Sequence, residues 1–241
     1  MKPNQLRRVL VTGAQGALGS EIVDKYLNAG CKVFGTYFTQ SKEVPVARES
    51  LEWIHVDLTD PRWIRTIFAE QGQTSGQETR RSSGQGGFDA WIHCAGGFRF
   101  STVEHTTDED LDFLLNLNLR SAFYLARELV PGMKKKNFGR IIFISSRATL
   151  GAGLGMAAYA ASKAGLNVLT AALAEEVKAF DITVNSVLPT VIDSPANRKN
   201  MPNEDFSKWV SPAQLADIIF SLTTPWGKPI HGALIPVSGR L

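Results

Sequence analysis

Cysteine is nearly absent: Cys31 and Cys94 are the only two in 241 residues. Two thiols build neither a disulfide framework nor a multi-thiolate metal centre, so no metal is expected. Both read as small core residues in a reduced, cytoplasmic setting. Long apolar runs are missing too. No run approaches the roughly 18 residues that cross a bilayer. The basic start, 1–8, leads into Val9-Leu10-Val11 and then Gly13, which is too short for the apolar region of a signal peptide. No membrane partner is expected. Net charge is scarce: 26 Lys and Arg against 23 Asp and Glu leave +3. The short basic clusters Arg80-Arg81 and Lys134-Lys135-Lys136 have no aromatic residues between them, so no nucleic-acid partner is expected either. What remains is an ordinary globular composition, long enough to bury one core.

What the chain does have is rhythm. Short apolar runs alternate with helical periodicity. The pattern predicts strands over 8–11, 32–37, 53–56, 90–93, 140–145, 183–188 and 233–237. Between them it predicts helices over 20–29, 61–70, 108–136, 157–180 and 212–222. The centre of 140–145 is wholly apolar, as a strand covered on both faces should be. Such alternation predicts an α/β chain forming a single domain over 1–241, with a seven-stranded parallel sheet and helices on both faces, a Rossmann fold. One stretch breaks the rhythm. Residues 71–87 are rich in Gly, Gln, Ser and Arg with no apolar period, and read as a flexible loop.

Two motifs carry chemistry. The first strand runs into Thr12-Gly13-Ala14-Gln15-Gly16-Ala17-Leu18-Gly19 and then a helix. Glycines there let the backbone turn sharply and approach a pyrophosphate, and the helix N-terminus offers free N–H groups to it. The second motif is Tyr159-Ala160-Ala161-Ser162-Lys163. It sets a phenol and an ammonium one helical turn apart on one face. A free Tyr, with a pKa near 10, is a poor acid at neutral pH. A neighbouring cation is expected to lower that value. The pair is then suited to protonate a carbonyl or to take a proton from an alcohol.

Together these residues resemble the short-chain dehydrogenase/reductases, and the resemblance covers nearly the whole chain. It implies a nicotinamide cofactor held by Thr12, Gly13, Gln15, Gly16, Ala17, Leu18 and Gly19, with Asp57 and Leu58 at the adenine. His93-Cys94-Ala95-Gly96 is similar to the family's Asn-Asn-Ala-Gly segment in its last two residues. Ala95, Gly96 and Gly97 are accordingly cofactor candidates, and His93 reads as a packing or hydrogen-bonding residue. The run from Leu188 to Ser194 resembles the segment that meets the nicotinamide, which implicates Pro189, Ile192 and Ser194. The catalytic residues implied are Asn118, Ser146, Tyr159 and Lys163. Ser146 stands 13 positions before Tyr159, the family spacing. Its hydroxyl would hold the substrate oxygen, Lys163 would bind the nicotinamide ribose, and Asn118 would support a water-linked proton path to Lys163.

The ribose-reading position at the end of the second strand falls at or near Tyr37, with no acid before Glu43. An acid there would favour NAD. Its absence, with Thr39, Ser41 and Lys42 nearby, predicts NADP(H) over NAD(H). A closer likeness exists to the dihydropteridine reductase branch. It lies in Gly96-Gly97-Phe98 and in 193–209, where Asn197-Arg198-Lys199 and Met201-Pro202 precede Phe206 and Trp209. Residues 193–209 then read as a substrate lid, with Phe98, Phe206 and Trp209 as candidates to stack on a flat heterocycle. Ser146 and Tyr37 fit a carbonyl reductase better. The expected substrate is therefore either a small carbonyl compound or a quinonoid dihydropteridine. A catalytically weak, cofactor-binding regulatory protein is the further alternative. The resemblance also implies a homotetramer or homodimer, paired through 108–136 and 157–180.

Overall fold

A computed structural model describes residues 6–38, 45–68 and 87–240. Seven strands form one sheet: β1 (Arg8–Thr12), β2 (Lys32–Tyr37), β3 (Leu51–His55), β4 (Ala90–His93), β5 (Gly139–Ile144), β6 (Ile182–Pro189) and β7 (Leu234–Val237). All neighbours are parallel, in the order β3-β2-β1-β4-β5-β6-β7. The helices between them are α1 (Ala17–Asn28), α2 (Pro61–Phe68), α3 (Asp108–Leu115), α4 (Ser121–Lys135), α5 (Ala157–Val177), α6 (Pro195–Asn200) and α7 (Pro212–Thr223).

Side chains alternate across each strand, and this sorts the helices into two layers. Leu10, Trp91, Ile141, Phe143 and Val184 point to one face and pack with Leu125, Leu129, Leu166 and Leu173 of α4 and α5. Val9, Val11, Ile92 and Ile142 point to the other and pack with Ile22, Tyr26, Leu215 and Ile219 of α1 and α7. The strand order reverses between β1 and β4. In such sheets ligands bind at that reversal, beyond the carboxyl ends of the strands.

Three local features depart from the sequence expectation. Helix α1 starts at Ala17, ahead of position 20, because Gly16 is extended (φ −68, ψ 162) and serves as its N-cap. The segment 108–136 is not one helix: a π-helical turn, Asn116–Arg120, separates α3 from α4. Residues 193–209 contain a short helix, α6, and a 3-10 turn, Phe206–Lys208. The expected loop at 71–87, apart from Gly87, lies outside the described residues, as do Thr39, Ser41 and Lys42.

At the amino ends of the strands an ion pair holds β5 to the residue before β6. The Arg140 side chain is 4% exposed. It donates to the Gly139 and Asp181 carbonyls at 2.8 Å and to Asp181 Oδ1 at 3.0 Å. Burial pushes the Asp181 carboxyl up, but Arg140 and Lys228 outweigh it and hold it below its ordinary range. A carboxyl depressed in the folded state contributes stability above its unfolded value, and that contribution is lost as pH falls through the folded one. Asp181→Asn should therefore lower unfolding free energy by about 2–3 kcal/mol at neutral pH, since it leaves a buried guanidinium short of its counter-charge. Urea melts should show the gap to wild type closing below about pH 4.

Candidate active site

The turn after β1 is shaped by contacts that leave no room for side chains. Gly13 has φ +70, and a Cβ there would lie 2.8 Å from the Ala95 nitrogen. A Cβ on Gly19 would lie 2.2 Å from the Gly13 carbonyl oxygen. The Gly13 N–H donates to Thr36 Oγ1 and the Ala14 N–H to the Thr36 carbonyl, both at 3.1 Å, which ties the turn to β2. A cleft of about 520 Å³ opens in front of it. Gly13, Gln15 and Gly16 line one side, Cys94, Ala95 and Gly96 another, and Tyr37, Phe38, Val56, Asp57 and Leu58 the far end.

Two residues expected at the cofactor turn have buried side chains, which leaves their backbone groups to meet a cofactor. The Leu18 side chain is buried in the core with Ile22 and Val23. Thr12 is fully buried, and its hydroxyl lies 2.8 Å from His93 Nδ1. Both support the turn from behind. At the far end, Asp57 Oδ1 accepts from the Thr59 N–H at 2.8 Å and from its hydroxyl at 2.6 Å. Tyr37 packs edge-on against Trp53, and Phe38 stacks on His55 at 5.7 Å.

Asn118 lies in the π-helical turn and is fully buried. Its Oδ1 accepts from the Gly97 N–H at 2.8 Å, and its Nδ2 donates to the Gly97 carbonyl at 3.0 Å and to Ser162 Oγ at 2.9 Å. Ser162 in turn donates to the Tyr159 carbonyl at 2.7 Å. One amide thus ties the loop after β4 to α5. An ordinary helical turn is displaced where this bond must be made, and such π insertions concentrate at functional sites.

Tyr159 and Lys163 project from α5 toward the carboxyl end of β5. Lys163 is buried and donates from Nζ to the Ile144 carbonyl at 2.8 Å. A Cβ on Gly96 would lie 2.8 Å from that Nζ, so the lysine packs directly behind Gly96, which lines the cleft. Burial lowers its pKa to about 8. Ser146 follows β5 and caps the 3-10 turn Arg147–Leu150, its hydroxyl accepting from the Ala148 N–H at 3.2 Å. Burial raises the Tyr159 phenol above its ordinary value, and the neighbouring Ser146 hydroxyl opposes that rise. The expectation that Lys163 lowers this pKa is corrected here. Lys163 is turned to a backbone carbonyl, and desolvation of the phenol is the larger effect.

The aromatic candidates separate. The Phe98 ring meets the Tyr159 ring edge-on at 4.9 Å and is 48% exposed, so it stands at the reacting end. Trp209 is buried and pairs with Phe206 at 4.7 Å, so its surface is spent on packing within the chain and not on a ligand. The pair belongs to 193–209, a segment closed at its base by pairing of Ile192 with Val210. Ser194 accepts from the Asn197 N–H at 3.2 Å and caps α6. Pro189 ends β6, placing 189–194 at the same carboxyl end of the sheet as Ser146.

His93 is buried and hydrogen-bonded at both ring nitrogens. Its Nε2 lies 3.2 Å from Ser121 Oγ, which itself donates to the Leu117 carbonyl at 2.6 Å. With its one proton committed, Ser121 must accept, so the imidazole carries its proton on Nε2. Burial, helped by Lys163, holds the ring neutral by pushing its pKa to about 3. The ring links the end of β1 to the π turn. Sequence reasoning missed Ser121 and Ser162 because lone serines in a helix carry no signal until their partners are known.

A family model for the short chain dehydrogenases matches residues 7–205. The acetoacetyl-CoA reductase of Allochromatium vinosum is 29% identical, across 98% of this chain and 98% of its own. The 3-oxoacyl-acyl-carrier-protein reductase FabG of Escherichia coli K12 is 32% identical, across 78% of this chain and 75% of its own. Neither is named as a dihydropteridine reductase. In fold the chain is similar to ElxO, solved with NADP bound, at a TM-score of 0.84 and 20% identity over 98% of each chain. Among the described residues no helix is long and apolar enough to cross a membrane. The chain belongs to the short-chain dehydrogenase family and is an NAD(P)-dependent oxidoreductase.

Proposed function

We propose that the protein reduces the carbonyl group of a small ketone or aldehyde with NADPH, using Tyr159 as proton donor. The observation that carries this reading is the gathering of Ser146, Tyr159 and Lys163 at the carboxyl end of β5, where buried Lys163 donates from Nζ to the Ile144 carbonyl at 2.8 Å, two residues before Ser146. Two hydroxyls converge there on one place for a substrate oxygen. The cleft fits a dinucleotide, because Gly13 and Gly16 at its wall bring bare backbone to a helix N-terminus, where a pyrophosphate would be held. Gly13, Gln15 and Gly16 would hold the pyrophosphate, Asp57 and Leu58 the adenine, Lys163 the nicotinamide ribose and Ser194 the carboxamide. When bound, the nicotinamide supplies a hydride to the substrate carbon.

The protein's own groups do the rest. Ser146 donates to the substrate oxygen and steadies the charge that develops on it. Tyr159, kept protonated by burial, delivers its proton to that oxygen. Lys163 brings positive charge to the same end of the cleft. Asn118 fixes the Gly97 turn against α5 and supports the proton path to Lys163. Tyr37 and Phe38 place no acid at the end of β2, which favours NADPH, and the ElxO structure holds NADP. Exposed Phe123 on α4 and Val168 on α5, at 54% and 71%, support pairing of these helices in a homodimer or homotetramer. The two free cysteines are in keeping with work in the cytoplasm.

A second reading rests on Phe98. Its half-exposed ring beside Tyr159 offers a flat surface to a quinonoid dihydropteridine. The two readings separate in one assay: a quinonoid dihydropterin beside a panel of ketones, aldehydes and 3-oxoacyl thioesters, each with NADPH and NADH. Ketone turnover with the higher kcat/KM for NADPH is the expected result. Faster turnover of the pterin would replace the first reading with the second. Cofactor binding with no turnover across the panel would return the regulatory alternative.

A further inference from the structure

We infer that Thr149 and Asn167 form a clamp that positions Ser146, so that α5 sets all three groups at the reacting end. The inference rests on the carbonyl-reductase reading above. Asn167 lies four residues after Lys163 and eight after Tyr159, one and two further turns along the same helix stripe. Its Nδ2 donates to Thr149 Oγ1 at 2.8 Å. Thr149 Oγ1 then donates to the Ser146 carbonyl at 2.8 Å, and the Thr149 N–H reaches the same oxygen at 3.1 Å. The Ser146 hydroxyl accepts from the Ala148 N–H at 3.2 Å. Ser146 is therefore held through its backbone oxygen and through one lone pair of its hydroxyl, which leaves the hydroxyl hydrogen free for a substrate oxygen.

The direction of the chain follows from proton counting. Thr149 has a single hydroxyl hydrogen, and it goes to the Ser146 carbonyl. Asn167 must then present its amide N–H to Thr149, not its oxygen. That leaves Asn167 Oδ1 buried with no partner. An orphaned buried acceptor is costly, and an apolar side chain of the same size would avoid it. What an apolar residue would not supply is the donor to Thr149. The arrangement gives up stability where it gains a fixed angle for Ser146, as expected of a supporting shell around a reacting group.

The test uses Thr149→Val, which keeps shape and removes the hydroxyl, Thr149→Ser, which restores it, and Asn167→Leu. Thr149→Val and Asn167→Leu should each lower kcat about tenfold with KM for NADPH within about twofold, because misplacing a positioned group costs turnover and not cofactor binding. Thr149→Ser should stay close to wild type. The double variant should be little worse than either single one, since both break the same chain of bonds. Hydrogen–deuterium exchange of the Ala148 and Thr149 amides provides a readout independent of turnover. It should speed up in Thr149→Val and Asn167→Leu and not in Thr149→Ser. Unchanged exchange in Thr149→Val, or an equal loss of kcat in Thr149→Ser, would overturn the clamp. If wild type turns over no carbonyl compound, the functional reading fails, and the exchange result alone decides the clamp.

Discussion

Tyr159→Phe is expected to lower kcat about a thousandfold, the scale of a positioned general acid, while cofactor affinity stays near wild type. The substitution removes one oxygen and keeps the ring that packs edge-on against Phe98. The backbone anchor also survives, because Ser162 bonds the Tyr159 carbonyl and not its side chain. The fold and the cleft should therefore persist, and the deficit should appear in turnover with any carbonyl substrate. Fluorescence titration with NADPH and steady-state kinetics on the same preparation separate the two. Near-normal turnover would remove Tyr159 from the mechanism. The pH profile adds a check on its partner. Lys163 has its pKa lowered to about 8 by burial. It loses its charge as pH rises through that value, and wild-type kcat should decline along the same limb. Tyr159, raised by burial, remains protonated across it.

The fold was legible because its strands are short, apolar and separated by helical periods, and because Gly16 and Gly30 punctuate the first unit where the chain turns. Tyr159 and Lys163 were legible as a pair on one helix face, and Ser146 was implied by the family resemblance and its place at a strand end. What spacing could not convey is burial. The Tyr159–Lys163 spacing implied a lowered phenol pKa, yet desolvation raises it and Ser146 opposes the rise. Trp209 looked available to a ligand by its residue type, and packing against Phe206 takes it away. The π turn was invisible because apolar periodicity runs through 108–136 without a break. Asn118 in that turn is bonded to Gly97, 21 residues away in the chain. Long-range bonds of this kind decide the details of the site, and a local pattern holds no record of them.

Gly19→Ala should be the most damaging single-methyl change in the cofactor end. The added Cβ would stand 2.2 Å from the Gly13 carbonyl oxygen and 2.9 Å from the Ala14 Cα. Both obstacles are backbone, so no side-chain rotation relieves them. Gly13 cannot retreat either. It already sits at φ +70 with Ala95 backbone atoms where its own Cβ would be, and its N–H is bonded to Thr36. The methyl must push α1 away from the turn or push the turn into the cleft. A displacement near 1 Å at a positioned site costs about a hundredfold, so the Kd for NADPH should rise by that order. Overpacking should cost about 1–3 kcal/mol of stability as well. Gly132→Ala is the matched control, because among the described residues nothing beyond its chain neighbours and its own helix backbone stands within 4 Å of its Cβ, and it lies inside α4. It should leave the Kd unchanged and add about 0.5–1 kcal/mol, the helix preference of alanine over glycine. Thermal melts and fluorescence titration of both variants make the comparison. Wild-type affinity in Gly19→Ala would mean that the turn after β1 does not hold the phosphates, whatever its glycines resemble.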